Sequence, residues 1–236
     1  MTVRVAMWSG PRNISTAMMR SWENRPDTEV VDEPFYAAYL QETGLDHPAR
    51  DEVIASQPTD PEEVVRRLRE SDDSPVHYAK HMTHHILRDW ALDWVTDFRN
   101  ILLIRDPDEV VASYVRSREA CEPDDIGLLQ QVRLLDALPE EPPIIDAGDF
   151  LRDPESHLRW ICDWLDIEFT DRMLTWPVGP RSSDGVWAPY WYDAVLRSTG
   201  FAPHRPRRVE LTPEGDEVVA ATRPAYERLH AARLVL

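Results

Sequence analysis

The sequence predicts an α/β protein: a parallel sheet of about five strands with helices on both faces. Three observations carry that expectation. Short apolar runs alternate with amphipathic stretches along most of the chain, the pattern of repeated strand–helix–strand units. The run from Asn100 to Ile104 (Asn-Ile-Leu-Leu-Ile) has the continuous apolar character of a strand covered on both faces. Val3-Arg4-Val5-Ala6-Met7-Trp8 stops at a Ser9-Gly10-Pro11 turn and passes into hydroxyl and helix-forming residues, which reads as strand, tight loop and helix.

Composition narrows the class. The 236 residues, 42% hydrophobic, suit a single domain over 1–236 with a substantial core. No apolar run approaches the ~18 residues that a membrane span needs. No basic stretch followed by an apolar core opens the chain, so no signal peptide is expected. Cys121 and Cys162 lie far apart and need not pair, which fits a reduced, cytoplasmic protein. The net charge of −17 argues against nucleic acid and anionic membranes as partners. An anionic ligand would need a local basic pocket. Of 26 basic residues only Lys80 is a lysine, and its compact three-donor head distinguishes it from the arginines.

In chain order, the first helix spans about Ser15 to Asn24 and breaks at Pro26-Asp27. Glu29 to Asp32 is a short strand, followed by Glu33-Pro34-Phe35-Tyr36 and a helix over 34–43. Residues 44–60 carry Gly44, Pro48 and Pro58 with little periodicity, a loop or lid. Thr59-Asp60-Pro61-Glu62 opens a capped helix to about Ser71. Pro75 to Ala79 is a strand ending at Lys80-His81, with a helix from about His84 to Val95 after it. The Asn100–Ile104 strand breaks at Arg105-Asp106-Pro107 into a helix to about Ala120, and another helix lies within 125–138. Pro143 to Asp146 is the fifth strand, and Asp153-Pro154-Glu155 starts a helix to Leu165. The aromatic- and proline-rich stretch 176–210 reads as irregular, a candidate acceptor lid, and 213–232 is a final helix.

Ligands of open parallel sheets bind beyond the carboxyl ends of the strands. The polar clusters fall there: Arg12 to Thr16, Asp32-Glu33, Lys80-His81 and Arg105. A strand–loop–helix turn at Ser9 to Thr16 aims backbone N–H groups and a helix dipole at an anion, with Arg12 adding a cation and Ser15 and Thr16 adding hydroxyls. Ser113 lies eight residues after Arg105, about two helical turns on, so both can face one pocket. The alternative is a strand-end Arg105 paired with Asp106 or Asp108 and a Ser113 packed within its helix.

Three segments resemble the sulfotransferases that use 3′-phosphoadenosine-5′-phosphosulfate (PAPS). Pro11-Arg12-Asn13-Ile14-Ser15-Thr16 is similar to their 5′-phosphosulfate loop, Pro-Lys-Ser-Gly-Thr-Thr. Arg105 to Ser113 resembles their 3′-phosphate motif. Asp149 to Pro154, running into Trp160-Ile161-Cys162-Asp163-Trp164-Leu165, resembles a third conserved block. The resemblance implies a P-loop-like sheet and a sulfuryl transfer from PAPS to a hydroxyl or amine of a small-molecule acceptor, without a metal. It implies that Arg12 contacts the 5′-phosphosulfate, with Gly10, Pro11, Asn13, Ile14, Ser15 and Thr16 completing the loop, and that Arg105 and Ser113 hold the 3′-phosphate. The loop departs from the pattern in having Arg12 for Lys and Ile14 for Gly. A C-terminal Arg-Lys-Gly element is not evident; Arg197-Ser198-Thr199-Gly200-Phe201 is a substitute, and Arg205, Arg207 and Arg208 are others. The Ser-Gly-Pro-Arg start and the Ser-Thr-Gly-Phe near the end resemble a branch also attached to plant aminotransferase-like proteins.

An alcohol acceptor must lose a proton as it attacks, so a carboxylate or His should lie within reach. Glu33 and His81 are the two candidates, with His84 as an alternative, and Lys80 would stabilise the transferring group. His77, His81, His84 and His85 also suggest a metal site, but His77 falls in a predicted strand and no nearby Cys completes a set, so no metal is assigned. Trp187, Tyr190, Trp191 and Tyr192 are candidates to wall an acceptor pocket, as are Phe35, Tyr36 and Tyr39 beside Glu33. A homodimer is left open. The rival readings are a nucleotide-dependent phosphotransferase on a related fold and a catalytically inactive binding protein.

Overall fold

A computed structural model describes residues 2–70, 74–116, 121–204 and 209–236. Its five strands are β1 (Val3–Ser9), β2 (Thr28–Asp32), β3 (Val76–Met82), β4 (Arg99–Ile104) and β5 (Ile144–Asp146). They form one sheet in the order β2-β3-β1-β4-β5, and every neighbouring pair is parallel. The α/β class and the five-stranded parallel sheet are therefore as the alternation predicts. Among the described residues no helix is long and apolar enough to cross a membrane.

Side-chain alternation divides the sheet's apolar residues between two cores. Val5, Met7, Tyr78, Ile101, Leu103 and Ile145 pack against α1 (Ser15–Glu23), α7 (Ala147–Arg152) and α8 (Pro154–Trp164). Ala6, Trp8, Ala79, Leu102 and Ile104 face the opposite way, onto α4 (Pro61–Glu70), α5 (Pro107–Tyr114), α6 (Leu128–Ala137) and α11 (Pro213–Ala231). A third cluster joins α2 (Tyr36–Thr43) and α3 (Arg50–Ser56) to Trp187, Ala188 and Tyr192. Ala188 opens α9 (Ala188–Trp191), and α10 (Asp193–Leu196) follows.

Helix starts follow from local chemistry. Asp106 accepts from the Asp108 amide at 2.9 Å with Pro107 at the first position of α5. Asp153 and Thr212 cap α8 and α11 in the same way, each ahead of a proline.

Several expectations are corrected. The stretch 84–95 is no α-helix but holds two 3-10 turns, Thr83–His85 and Asp93–Asp97. Arg133 of α6 donates to the Leu87 and Trp90 carbonyls at 2.8 and 2.7 Å, satisfying from outside groups that a helix would have satisfied internally. Residues 44–60 contain α3, held by buried Val53. Helix α5 ends at Tyr114, and residues 117–120 lie outside the described residues, as do Arg205, Arg207 and Arg208. Two short helices interrupt 176–210, and a Thr175–Gly200 bridge closes its base. Strand β3 runs on to Met82, so Lys80 and His81 lie within it.

Candidate active site

A cleft of about 390 Å³ opens over the carboxyl ends of the strands, lined at one end by Pro11 to Ala17, Arg105 and Ser113 and at the other by Glu33, Lys80, His85 and Tyr192.

The first end is built by the β1–α1 turn. Helix α1 has no side-chain cap, since Ile14 occupies the N-cap position. Its first-turn N–H groups thus keep no intrahelical partner, and Ser15, Thr16 and Ala17 face the cleft. The Asn13 amide nitrogen donates to the Leu103 carbonyl at 3.1 Å, and its oxygen accepts from the Ile14 amide at 2.8 Å. That side chain pins the loop to the end of β4. Ile14, with φ −90°, needs no glycine-like conformation. The left-handed residue is Arg12, with φ 55°. Arg105 donates to the Arg12 carbonyl at 2.7 Å, and Arg12 Nε donates to Ser113 Oγ at 3.0 Å. The strained backbone is thereby held by two interactions from the neighbouring strand and helix. Gly10 does not line the cleft; it packs against the Ile126 carbonyl and Gly127.

Arg105 completes this end, donating to Glu109 Oε2 from Nε at 2.9 Å and Nη2 at 2.7 Å. Asp106 and Asp108 instead pair with Arg223 of α11. Burial, then the charges of Arg116 and Arg105, push the Arg12 pKa down, so three guanidinium groups share one neighbourhood.

The second end is a buried charge cluster. Asp32 and Lys80 are register partners on β2 and β3. Lys80 Nζ donates to Asp32 Oδ1 at 2.7 Å, to Glu33 Oε1 at 2.8 Å and to the Tyr192 hydroxyl. The Tyr192 hydroxyl donates to Asp32 Oδ2 at 2.7 Å and accepts from Trp187 Nε1 at 3.0 Å. All three lysine protons are thus committed. Glu33 also has a left-handed backbone, φ 41°. Its amide donates to the Lys80 carbonyl at 2.9 Å, and Gln57 Nε2 donates to the Asp32 and Glu33 carbonyls at 3.2 Å each. Burial raises the Glu33 pKa, and Asp32 raises it further against the opposing pull of Lys80. His85 Nδ1 stands 4.0 Å from Glu33 Oε2. Its ring stacks on Tyr36 and Tyr39 at 4.5 and 4.8 Å, and burial keeps it neutral, with its pKa well below the ordinary value.

Two sequence candidates are not brought here. His81 points to the opposite face of the sheet, stacked on Trp8 with ring centroids 4.2 Å apart. Burial first, and His77 second, lower its pKa to about 3. Alternation along β3 places Lys80 on one face and His81 on the other. Arg197 is exposed and paired with Asp193 four residues earlier; its neighbours Ser198, Gly200 and Phe201 line the cleft in its stead. His84 does line the cleft. No group of three metal-ligating side chains is found among the described residues. Sequence reasoning missed His47, whose Nδ1 shares a 2.8 Å hydrogen bond with the Tyr36 hydroxyl, and Gln57. Neither carries a local motif; their roles arise only when α3 folds over α2.

A bare helix N-terminus beside converging guanidinium groups, at the carboxyl ends of a parallel sheet, stands where α/β folds of this class place their ligand sites. The chain belongs to the sulfotransferase domain family, whose sequence pattern matches residues 3–233. It is 40% identical over 202 residues to branched-chain-amino-acid aminotransferase-like protein 1 of Arabidopsis thaliana, covering 83% of this chain and 36% of that protein. It is 37% identical to aminotransferase-like protein 2 of the same plant, covering 83% of this chain and 35% of that one. The chain thus spans about a third of the length of these relatives. In fold it is similar to the sulfotransferase domain of the Synechococcus PCC 7002 olefin synthase, with TM-score 0.60, 18% identity and coverage of 93% and 94% of the two chains. The sulfotransferase domain from the curacin biosynthetic pathway gives TM-score 0.59 at 17% identity, covering 94% and 97%.

Proposed function

We propose that this protein transfers a sulfuryl group from PAPS to a hydroxyl or amine of a small-molecule acceptor, with Glu33 as the general base. The observation that carries the reading is the polarity of the cleft. One end presents the uncapped α1 N-terminus with Arg105 and Ser113, and the other presents a buried carboxylate of raised pKa.

PAPS bound here would bring an activated sulfuryl group and a nucleotide with two phosphate positions. The residues fit such a ligand. The N–H groups of Ser15, Thr16 and Ala17, with the Ser15 and Thr16 hydroxyls, suit the 5′ end, and Arg105 with Ser113 suits the 3′-phosphate. As an acceptor oxygen bonded to sulfur and the sulfur–oxygen bond to the leaving phosphate broke, the Glu33 carboxylate would take the acceptor proton. Preorganised donors at the α1 N-terminus favour the charge that grows on the leaving oxygen. Lys80 acts on Glu33 rather than on the sulfuryl group, because its three protons are already directed to Asp32, Glu33 and Tyr192.

Calorimetry with 3′,5′-ADP and with ATP plus Mg²⁺ tests the donor. Tight binding of the first alone is expected. The reverse would establish a phosphotransferase, and the loop's lack of the Lys-Ser/Thr pair of phosphate-binding kinases argues against that outcome.

A further inference from the structure

We propose that Arg12 is a ligand of the 3′-phosphate and so a determinant of nucleotide specificity, rather than the cation of the 5′-phosphosulfate that its place in the loop suggests. The inference rests on the PAPS reading above.

Position in the loop and direction of the side chain diverge here. Arg12 belongs to the β1–α1 turn, yet its Nε donates to Ser113 Oγ on α5 at 3.0 Å. The left-handed backbone at φ 55° turns the residue that way, and Arg105 holds the turned carbonyl at 2.7 Å. Arg12, Arg105 and Ser113 therefore form one connected unit across a sequence gap of 101 residues. Arg116 adds a further positive charge close enough to act on Arg12. Among the described residues, Glu109 is the carboxylate that hydrogen-bonds to this group, through Arg105. In a chain of net charge −17, such a concentration of guanidinium charge needs an anion. A phosphate monoester near neutral pH carries close to two negative charges and three acceptor oxygens. A guanidinium that spends Nε on Ser113 keeps both Nη groups for phosphate oxygens in a planar fork. The 5′ end does not need Arg12, since the α1 N-terminus supplies its own donors there.

The two assignments separate by comparing 3′,5′-ADP with 5′-AMP, which lacks only the 3′-phosphate. Calorimetry on the wild type, Arg12→Ala and Arg12→Lys is the experiment, with thermal melts confirming folded protein. In Arg12→Ala the affinity for 3′,5′-ADP should fall about ten- to a hundredfold, the loss of a charge-assisted hydrogen bond, while 5′-AMP binding changes by less than about threefold. Arg12→Lys keeps the charge without the Nε link to Ser113, and should lose part of the preference for 3′,5′-ADP with 5′-AMP binding unmoved. An equal loss for both nucleotides in Arg12→Ala would place Arg12 at the 5′ end and overturn the proposal. So would no loss for either. A wild type that binds 3′,5′-ADP no better than 5′-AMP would instead bring down the PAPS reading itself.

Discussion

Lys80 Nζ lies 2.8 Å from Glu33 Oε1, and both side chains are buried. The pair joins the chain's single lysine to the carboxylate proposed above as the general base. Burial keeps the Glu33 pKa raised even so. A base must be ionised, so turnover should fall as pH drops through a value above the ordinary carboxylate range. Glu33→Gln should reduce turnover by about 10²–10⁴ and leave 3′,5′-ADP affinity within about threefold of the wild type. Steady-state rates across pH and nucleotide calorimetry on the same protein measure both. Wild-type turnover in Glu33→Gln would remove Glu33 from the mechanism.

Lys80→Met probes the same cluster from the other side. It leaves Asp32 and Glu33 buried without their cation, a change that costs roughly 3–5 kcal/mol in comparable buried pairs. The Glu33 pKa should rise further, so the acid limb of the rate profile should move to higher pH. Adding Asp32→Asn should recover part of the lost stability, because one uncompensated charge is then gone. Denaturant midpoints for the single and double variants decide it; additive losses would show that the two groups do not interact.

Two further histidines set a pH dependence of stability. Burial, then Arg4, lowers the His77 pKa to about 4, and burial, then His77, lowers that of His81 to about 3. Both are neutral in the folded state near neutral pH. In the unfolded chain each takes a proton as pH falls through about 6.5. The unfolded state then binds more protons than the native state, and stability declines with falling pH at more than about 1 kcal/mol per pH unit for each histidine. The loss should set in near pH 6.5 and continue toward pH 4. His81→Phe, which keeps a ring against Trp8, should flatten the slope by about one proton. Urea denaturation at several pH values measures the slope, and an unchanged slope in His81→Phe would exclude His81 as a source.

The fold and one end of the cleft's lining are legible in the sequence because their signals are local. The β1–α1 loop announces itself within Val3 to Thr16, and Arg105 with Ser113 announces a strand end and a helix face at fixed spacing. His81 shows where local signals fail. Ending β3 at Ala79 leaves Lys80 and His81 both free to enter the site, whereas three more strand residues send them to opposite faces. No neighbouring residue encodes that extension, which follows from the pairing of β3 with β1 out to Met82. The partner of Arg105 is similarly ambiguous. Asp106, Asp108 and Glu109 are all close in sequence, and Arg223, 117 residues from Asp106, claims the first two. Tyr192 reads from sequence as one aromatic in a crowded segment, but its hydroxyl reaches Asp32 across 160 residues. Contacts at such separations depend on packing that no short pattern records.

Gly10 makes the same point, and it yields a sharp test. The family resemblance implies that Gly10 helps complete the 5′-phosphosulfate loop. In the fold, a Cβ on Gly10 would stand 2.1 Å from the Ile126 carbonyl oxygen, and Gly127, at φ 77°, presses on it from the same side. The constraint is therefore packing between the first loop and the start of α6. Gly10→Ala must displace backbone rather than a flexible side-chain tip, and overpacking of that kind costs about 1–3 kcal/mol. For a chain of this length the melting temperature falls by about 2–4 °C per kcal/mol. The loss should appear equally with and without bound 3′,5′-ADP, since the contact lies below the loop and not in the cleft. Thermal melts in both conditions check this. A variant that melts like the wild type while binding 3′,5′-ADP more weakly would return Gly10 to the binding loop.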